Sequence, residues 1–130
     1  MLDTNICAFI IRNKPEYIKD KLKAVEKDNE IALSSIVVAE LLFGAQKKKS
    51  QKLSKIIHTF IDNFTIYDFD KQASIEYSKI RDTLESTGNI IGANDLFIAS
   101  HAKSLDAVMV TNNTREFLRV DGLKVEDWVE

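Results

Sequence analysis

Three acidic residues stand where a carboxylate could do chemistry. Asp3 follows two apolar residues, Glu40 interrupts the apolar stretch IVVAELLFGA (36–45), and Asp95 opens the segment NDLFIASHA (94–102) together with its preceding Asn. Burial of an unpaired carboxylate is costly. If the three acids converge to within about 4 Å, each pair repels by about 4 kcal/mol at an effective dielectric of 20. Such a cluster requires a cation.

The available ligand atoms favour a hard divalent cation. The chain has one cysteine and two histidines, and it lacks the spaced Cys or His pairs that bind Zn²⁺. Carboxylate oxygens are the ligands that Mg²⁺ and Mn²⁺ prefer. The acids therefore predict a Mg²⁺ site, with Mn²⁺ as a substitute ion.

All of the candidate site residues except Glu40 also have a purely structural explanation. Asp3 is equally suited to capping a helix that begins just after it, and Asp95 to the first turn of another helix. Asn113 and Glu116 have the spacing of a capping box. Glu40 is different, because it lies within a predicted helix where no backbone N–H is free, and a ligand role is favoured there.

The elements that must position these acids alternate between short apolar runs and longer amphipathic stretches. Predicted strands cover residues 1–2, 30–35, 65–69, 107–111 and 123–128, and predicted helices follow Asp3, Pro15, Ser35, Lys49, Asp70, Gly92 and Asn113. This alternation predicts an α/β fold with a central, mostly parallel twisted sheet between helical layers, α/β/α. Ligands bind such sheets beyond the carboxyl ends of the strands, where these acids fall.

Length and composition restrict the classes of protein further. A chain of 130 residues with a net charge of −2 predicts a single domain, 1–130, without general attraction to nucleic acid or membranes. A polyanionic partner must then be held by a local basic patch or through metal. The single cysteine, Cys7, predicts a buried thiol and a reducing, cytoplasmic location. No apolar run approaches the length needed to cross a bilayer.

The remaining polar residues have simpler interpretations. His101 lies among small residues and is expected to be a hydrogen-bonded core histidine, whereas His58 is expected at the surface. Five lysines between residues 47 and 55 favour a solvated helix face, although contact with a phosphate backbone stays open.

Four segments, in this order, resemble one known family: MLDTNI, SSIVVAELLFGA, GNIIGANDLFIASHA and VMVTNNTREFLRVDGLKVEDW. Together they span nearly the whole chain and resemble the PIN-domain ribonucleases, most closely the VapC toxins of bacterial VapBC toxin–antitoxin systems. The resemblance implies that Asp3, Glu40 and Asp95 are the catalytic, metal-binding acids.

The resemblance also identifies one departure. Many PIN domains have a fourth acid where this chain has Asn113, and Glu116 one helical turn later could supply the missing charge. Five further residues are expected to orient the acids and their waters: Thr4, Asn5, Ser34, Thr111 and Asn112.

The family implies a type II toxin that is a Mg²⁺-dependent endoribonuclease and leaves a 5′-phosphate and a 3′-hydroxyl. It further implies neutralisation by a VapB antitoxin, a homodimer, and contact with operator DNA only through the antitoxin.

Two alternatives to this function remain. A phosphatase of the haloacid-dehalogenase kind needs a second Asp where Asn5 stands. A PIN-fold binding module without catalysis is favoured only by Asn113. Ser34, Ser35 and Cys7 lack a histidine at a recognisable spacing for nucleophilic catalysis.

Overall fold

Helices and short strands alternate along the computed structural model, which describes residues 1–129. The helices are α1 (Thr4–Arg12), α2 (Glu16–Glu26), α3 (Ser35–Lys47), α4 (Gln51–Ile61), α5 (Lys71–Ser86), α6 (Ala93–Ser104) and α7 (Thr114–Phe117). The strands are β1 (Ala32–Ser34), β2 (Thr65–Tyr67), β3 (Met109–Val110) and β4 (Val125–Glu126). The predicted α/β class is confirmed.

The first three residues connect two parallel strand pairs into one sheet. Strands β1 and β2 pair in parallel, as do β3 and β4. The Leu2 amide donates to the Ala32 carbonyl at 3.1 Å and the Asp3 amide to the Val110 carbonyl at 3.0 Å. The chain start therefore lies between β1 and β3, and Asp3 is placed at the edge where the parallel strands end.

The strands are shorter than the sequence pattern predicts. At β1 the reason is that a polar residue ends the strand and caps the next helix. The predicted strand 30–35 ends at Ser34, whose hydroxyl accepts from the Ile36 amide at 3.1 Å and caps α3. Asp70 caps α5 in the same way through the Ala73 amide, at 3.0 Å. Gly88, with φ of 73°, follows the end of α5 and adopts the left-handed conformation that glycine tolerates best.

The core is built from the apolar faces of the helices and both faces of the sheet. Leu2, Ile6, Leu33, Ile98 and Phe117 are among its fully enclosed side chains. Cys7 is completely buried, as predicted. Within residues 1–129, every helix is too short or too polar to cross a bilayer.

His101 is a core residue, as its small neighbours predict. It is 1% exposed, and its Nδ1 lies 2.7 Å from the Ser34 hydroxyl. Its ring also packs edge-on against Phe69, with centroids 5.4 Å apart. Burial lowers the pKa of His101, because a charged imidazolium is poorly solvated there. The neutral ring therefore links α6 to the cap of α3.

Replacing His101 tests this link through the pH dependence of stability. The pKa of His101 is lower in the folded protein than in the unfolded chain, where it is about 6.5. Its contribution to stability is therefore present above that pH and lost as the pH falls further. When the pH is lowered from 7.5 to 5.5, we expect the free energy of unfolding, measured with urea, to fall less for His101→Asn than for wild type.

The exposed His58 supplies the matched control for this experiment. His58→Asn should follow the wild-type dependence of the unfolding free energy on pH. Equal slopes for wild type and His101→Asn would show that His101 does not contribute to acid sensitivity.

Candidate metal centre

Four acidic residues reach the carboxyl edge of the sheet from four different elements. Asp3 caps α1, Glu40 lies in the second turn of α3, Asp95 lies in the first turn of α6, and Glu116 lies on α7. The charge of Glu40 raises the pKa of Asp3, and the charge of Asp3 contributes to raising that of Asp95. The acids therefore form one electrostatic group.

Asp3 is the most enclosed of the acids, with 3% of its surface exposed. Its Oδ1 accepts from the Ile6 amide at 2.9 Å, which makes it the N-cap of α1. Its Oδ2 accepts from the Thr111 hydroxyl at 2.5 Å, across 108 positions of sequence. Burial is the main cause that raises the pKa of Asp3. The capping role and a position in the acidic site are therefore compatible.

Glu40 is only partly buried, and two hydrogen-bond donors stabilise its carboxylate. Its Oε1 accepts from the Thr4 hydroxyl at 2.6 Å and its Oε2 from the Asn94 amide nitrogen at 2.9 Å. Val37, on the preceding turn, is buried, but Phe43, on the following turn, is 66% exposed. The apolar helix face around Glu40 thus passes from core to surface, and the carboxylate lies at the boundary between them.

Asp95 and Glu116 share one amide and interact directly. The Asn113 Nδ2 donates to Asp95 Oδ2 at 3.0 Å and to Glu116 Oε2 at 2.6 Å. Burial and the adjacent Glu116 raise the pKa of Asp95 to about 7. The hydrogen bond with Asp95 lowers the pKa of Glu116. In the metal-free protein, Asp95 is therefore the member of this pair that holds the proton near neutral pH.

The capping-box explanation of Asn113 and Glu116 is wrong. Asn113 precedes α7, but its side chain does not cap that helix. Its amide is used by the two carboxylates instead, and its backbone N–H donates to the Thr111 hydroxyl at 2.9 Å. The Glu116 Oε1 accepts at 3.2 Å from the amide of Gly92, the N-cap residue of α6. Asn113 and Glu116 therefore bond to each other and to α6, and they do not form the capping box at the start of α7.

The residues expected to orient the acids fall into two groups. Thr4 and Thr111 donate directly to Glu40 and Asp3, respectively. Ser34 is bonded to His101 and to the Ile36 amide, and Asn5 and Asn112 are exposed.

Asn94 is the orienting residue that sequence reasoning missed. Its bond to Glu40 connects α6 to α3, 54 positions apart in the chain. The signal was its place directly before Asp95 in the first turn of α6, from which a side chain can reach the same site as its neighbour.

The charges and donor atoms of this site fit a hard divalent cation. Residues 1–129 contain two Lys or Arg ion pairs, Arg81–Glu85 and Lys124–Asp106, and neither involves the site. No three of its acids form a ready chelate in the described structure. Hydroxyl and amide groups hold the carboxylates individually, and Arg119 offsets part of the charge of Glu116 from a distance, so a net negative charge remains for a cation. Only oxygen ligands are offered, as Mg²⁺ requires.

Comparison with known proteins identifies the family of this chain. The family model of the PIN domain matches residues 1–123. Ribonuclease VapC2 of Rickettsia felis is 45% identical over 130 residues, which cover 98% of this chain and 96% of the relative. The tRNA(fMet)-specific endonuclease VapC of Salmonella typhimurium is 40% identical over 129 residues, with 98% and 96% covered.

A solved structure extends the similarity to the fold. It is the VapBC2 complex of Rickettsia felis bound to a DNA fragment from their promoter, and one of its chains matches with a TM-score of 0.93 and 42% identity. The match covers 99% of this chain and 98% of the other. The chain belongs to the PIN domain family and, within it, to the VapC ribonucleases.

Proposed function

We propose that this chain is the toxin of a type II toxin–antitoxin pair and acts as a Mg²⁺-dependent endoribonuclease built from one PIN domain. The observation that carries the proposal is the group of carboxylates at the carboxyl edge of a parallel sheet, which among the described residues form no ion pair with a basic side chain. Such charge is unfavourable unless a cation binds. Family membership adds the reaction, hydrolysis of RNA.

Asp3, Glu40 and Asp95 are the residues that would hold the ion and act in catalysis. Mg²⁺ would polarise the scissile phosphate and lower the pKa of a bound water. Thr111 and the Ile6 amide fix both oxygens of Asp3 before any ligand arrives. Attack of water on phosphorus, with departure of the 3′ oxygen, leaves a 5′-phosphate and a 3′-hydroxyl.

Glu116 fills the fourth acidic position in this proposal, and Asn113 positions it. Glu116 lies against Asp95 and carries the negative charge that an amide lacks. Asn113 donates to both carboxylates, which is the role of a group that orients ligands. The departure from the usual family pattern therefore moves the fourth acid by one helical turn and does not remove it.

The partners follow from the relatives. Solved VapBC complexes, one of them with promoter DNA, support a VapB-type antitoxin as the inhibitor of this chain. A net charge of −2 supports operator binding through the antitoxin and not through this chain. A homodimer and a cytoplasmic location complete the proposal. The name of the Salmonella relative makes tRNA(fMet) the first RNA to test.

A catalytically inactive PIN-fold module is the second candidate, and Asn113 in the usual acidic position is the observation that favours it. Such a module has no need to bind Mg²⁺. Isothermal titration of the purified protein with Mg²⁺ separates it from the nuclease.

Cleavage of RNA is the direct test of the proposed function. Wild-type protein with 5′-labelled cellular RNA should cleave in Mg²⁺ or Mn²⁺ and stop when EDTA is added. Asp3→Asn, Glu40→Gln and Asp95→Asn should each lower the rate by a factor of about 100 or more, because each removes a ligand charge.

Asp82, exposed on α5, provides the matched control. Asp82→Asn should retain wild-type cleavage. Activity that persists equally in all three site variants would contradict the assignment of these acids. Wild-type protein that neither cleaves nor binds Mg²⁺ would establish the inactive module.

Thermal unfolding offers an independent test of the acidic group. Asp95→Asn should stabilise the metal-free protein, because a neutral amide relieves the repulsion with Glu116. The free energy of unfolding should increase by about 0.5–2 kcal/mol, and the unfolding temperature should rise accordingly. Calorimetry in EDTA at pH 8 measures the change. A destabilised variant would show that Asp95 is a structural residue and that its charge is not a liability.

The fourth position is tested by metal affinity. Glu116→Gln should weaken Mg²⁺ binding by a factor of about 10–100, the range seen when groups around a metal site are changed. Titration calorimetry measures the affinity, and Glu126→Gln on β4 is the control. Unchanged affinity in Glu116→Gln would return the fourth position to Asn113.

A further inference from the structure

The acidic site accounts for one phosphate, and RNA carries one on every nucleotide. A chain with a net charge of −2 must hold the flanking phosphates with a local basic surface. One segment stands out: residues 41–61 contain no Asp or Glu and five lysines. We call these the lysine cluster: Lys47, Lys48, Lys49, Lys52 and Lys55. All five are exposed, and none takes part in the ion pairs of the described chain.

A tight turn brings the lysine cluster to one end of the molecule. Lys48 ends α3, Lys49 has a φ of 52°, and Ser50 caps α4 by accepting from the Leu53 amide at 3.0 Å. Because α3 and α4 pack against each other, the last residues of the one helix and the first turns of the other are neighbours. The cluster is therefore a patch of like charge, which attracts anions.

Helix α3 joins this patch to the acidic site. Glu40 and Lys47 are seven residues apart, so they lie on the same face of α3 about 10 Å from each other. Phe43 and Gly44 lie on the turn between them. This face of α3 therefore presents, with increasing distance from the acidic site, a carboxylate, an aromatic ring, a glycine without a side chain and a lysine.

Phe43 and Gly44 are both unexplained by the packing of this chain. Phe43 is 66% exposed, although burial of an aromatic ring is strongly favourable. A Cβ added to Gly44 would meet no atom within 4 Å, so the helix gives up the better propensity of Ala without steric need. Exposed aromatic rings stack on unpaired bases, and a glycine lets a ligand approach the backbone closely.

We propose that the exposed face of α3 from Glu40 to Lys47, together with the lysine cluster, binds a single-stranded segment of RNA beside the scissile phosphate. Phe43 stacks on a base and the lysines contact successive phosphates. The inference rests on the proposed function, since it takes RNA as the substrate. RNA is favoured over a protein partner because the patch is uniformly positive and begins at the acid that the reaction uses.

Neutralising the lysines tests the contact with phosphates. The variant Lys48→Gln/Lys49→Gln/Lys52→Gln is compared with Lys19→Gln/Lys21→Gln/Lys23→Gln on α2, an equal charge change among exposed lysines. Fluorescence anisotropy with a labelled single-stranded RNA gives Kd, measured in the Asp95→Asn background to prevent cleavage. The cluster variant should raise Kd tenfold or more. The negative slope of log K against log salt should become shallower by about 2, because three phosphate contacts are lost. The α2 variant should stay within about twofold of the parent.

The ring is tested separately by KM and kcat. Phe43→Ala should raise KM about fivefold or more with little change in kcat, as the loss of one stacked base predicts. Phe43→Trp should restore KM, because stacking needs only a flat ring. Light scattering and antitoxin titration on the same variants report the oligomeric mass and the affinity for the antitoxin.

These outcomes separate the inference from the function on which it rests. If wild-type protein cleaves RNA but both lysine variants bind RNA equally, the inference is wrong and the nuclease stands. If wild-type protein neither cleaves RNA nor binds Mg²⁺, the nuclease fails, while a selective loss of RNA binding in the cluster variant still supports the patch. If Phe43→Ala alters the oligomeric mass or antitoxin affinity and leaves KM unchanged, α3 is a protein interface and the inference is wrong.

Discussion

Repulsion among the carboxylates at the carboxyl edge of the sheet is the constraint on which the rest of this structure depends. Asp3, Glu40, Asp95 and Glu116 come from separate elements, and among the described residues they form no ion pair with a Lys or Arg side chain. Neutral donors hold each one instead. Hydroxyls of Thr4 and Thr111 and amides of Asn94 and Asn113 make the site stable enough to form while leaving its net charge for a metal.

The chain start, residues 1–3, runs as a short extended strand between β1 and β3 and serves both the fold and the site. Leu2 joins the two halves of the sheet, and Asp3, the next residue, caps α1 and accepts from Thr111. A displacement of this strand by one residue would exchange the faces of the sheet and move the carboxylate away from the edge. Stability of the sheet and placement of the acid are therefore set by the same hydrogen bonds, so selection on either one preserves both.

The sequence allowed prediction of whatever depends on local contacts. The order of helices and strands, the cap by Asp70, and the buried states of Cys7 and His101 follow from periodicity and short-range chemistry. The contacts between distant segments did not. Asn94 reaches Glu40 and Asn113 reaches Asp95 only because α3, α6 and the end of β3 meet at one edge, and no local pattern encodes that meeting.

The capping box shows how a correct local rule can fail. Asn113 and Glu116 have the right spacing, but a cap would satisfy only exposed backbone groups, which water can serve as well. Bridging Asp95 and Glu116 relieves repulsion between two carboxylates, for which water is a poorer remedy in a half-buried site. The stronger demand decides the conformation. The same reasoning applies along α3, where Glu40, Phe43 and Gly44 each depart from what the stability of the chain alone favours. Because departures that share one helix face are more economically explained by one ligand than by three separate accidents, the face belongs with the site.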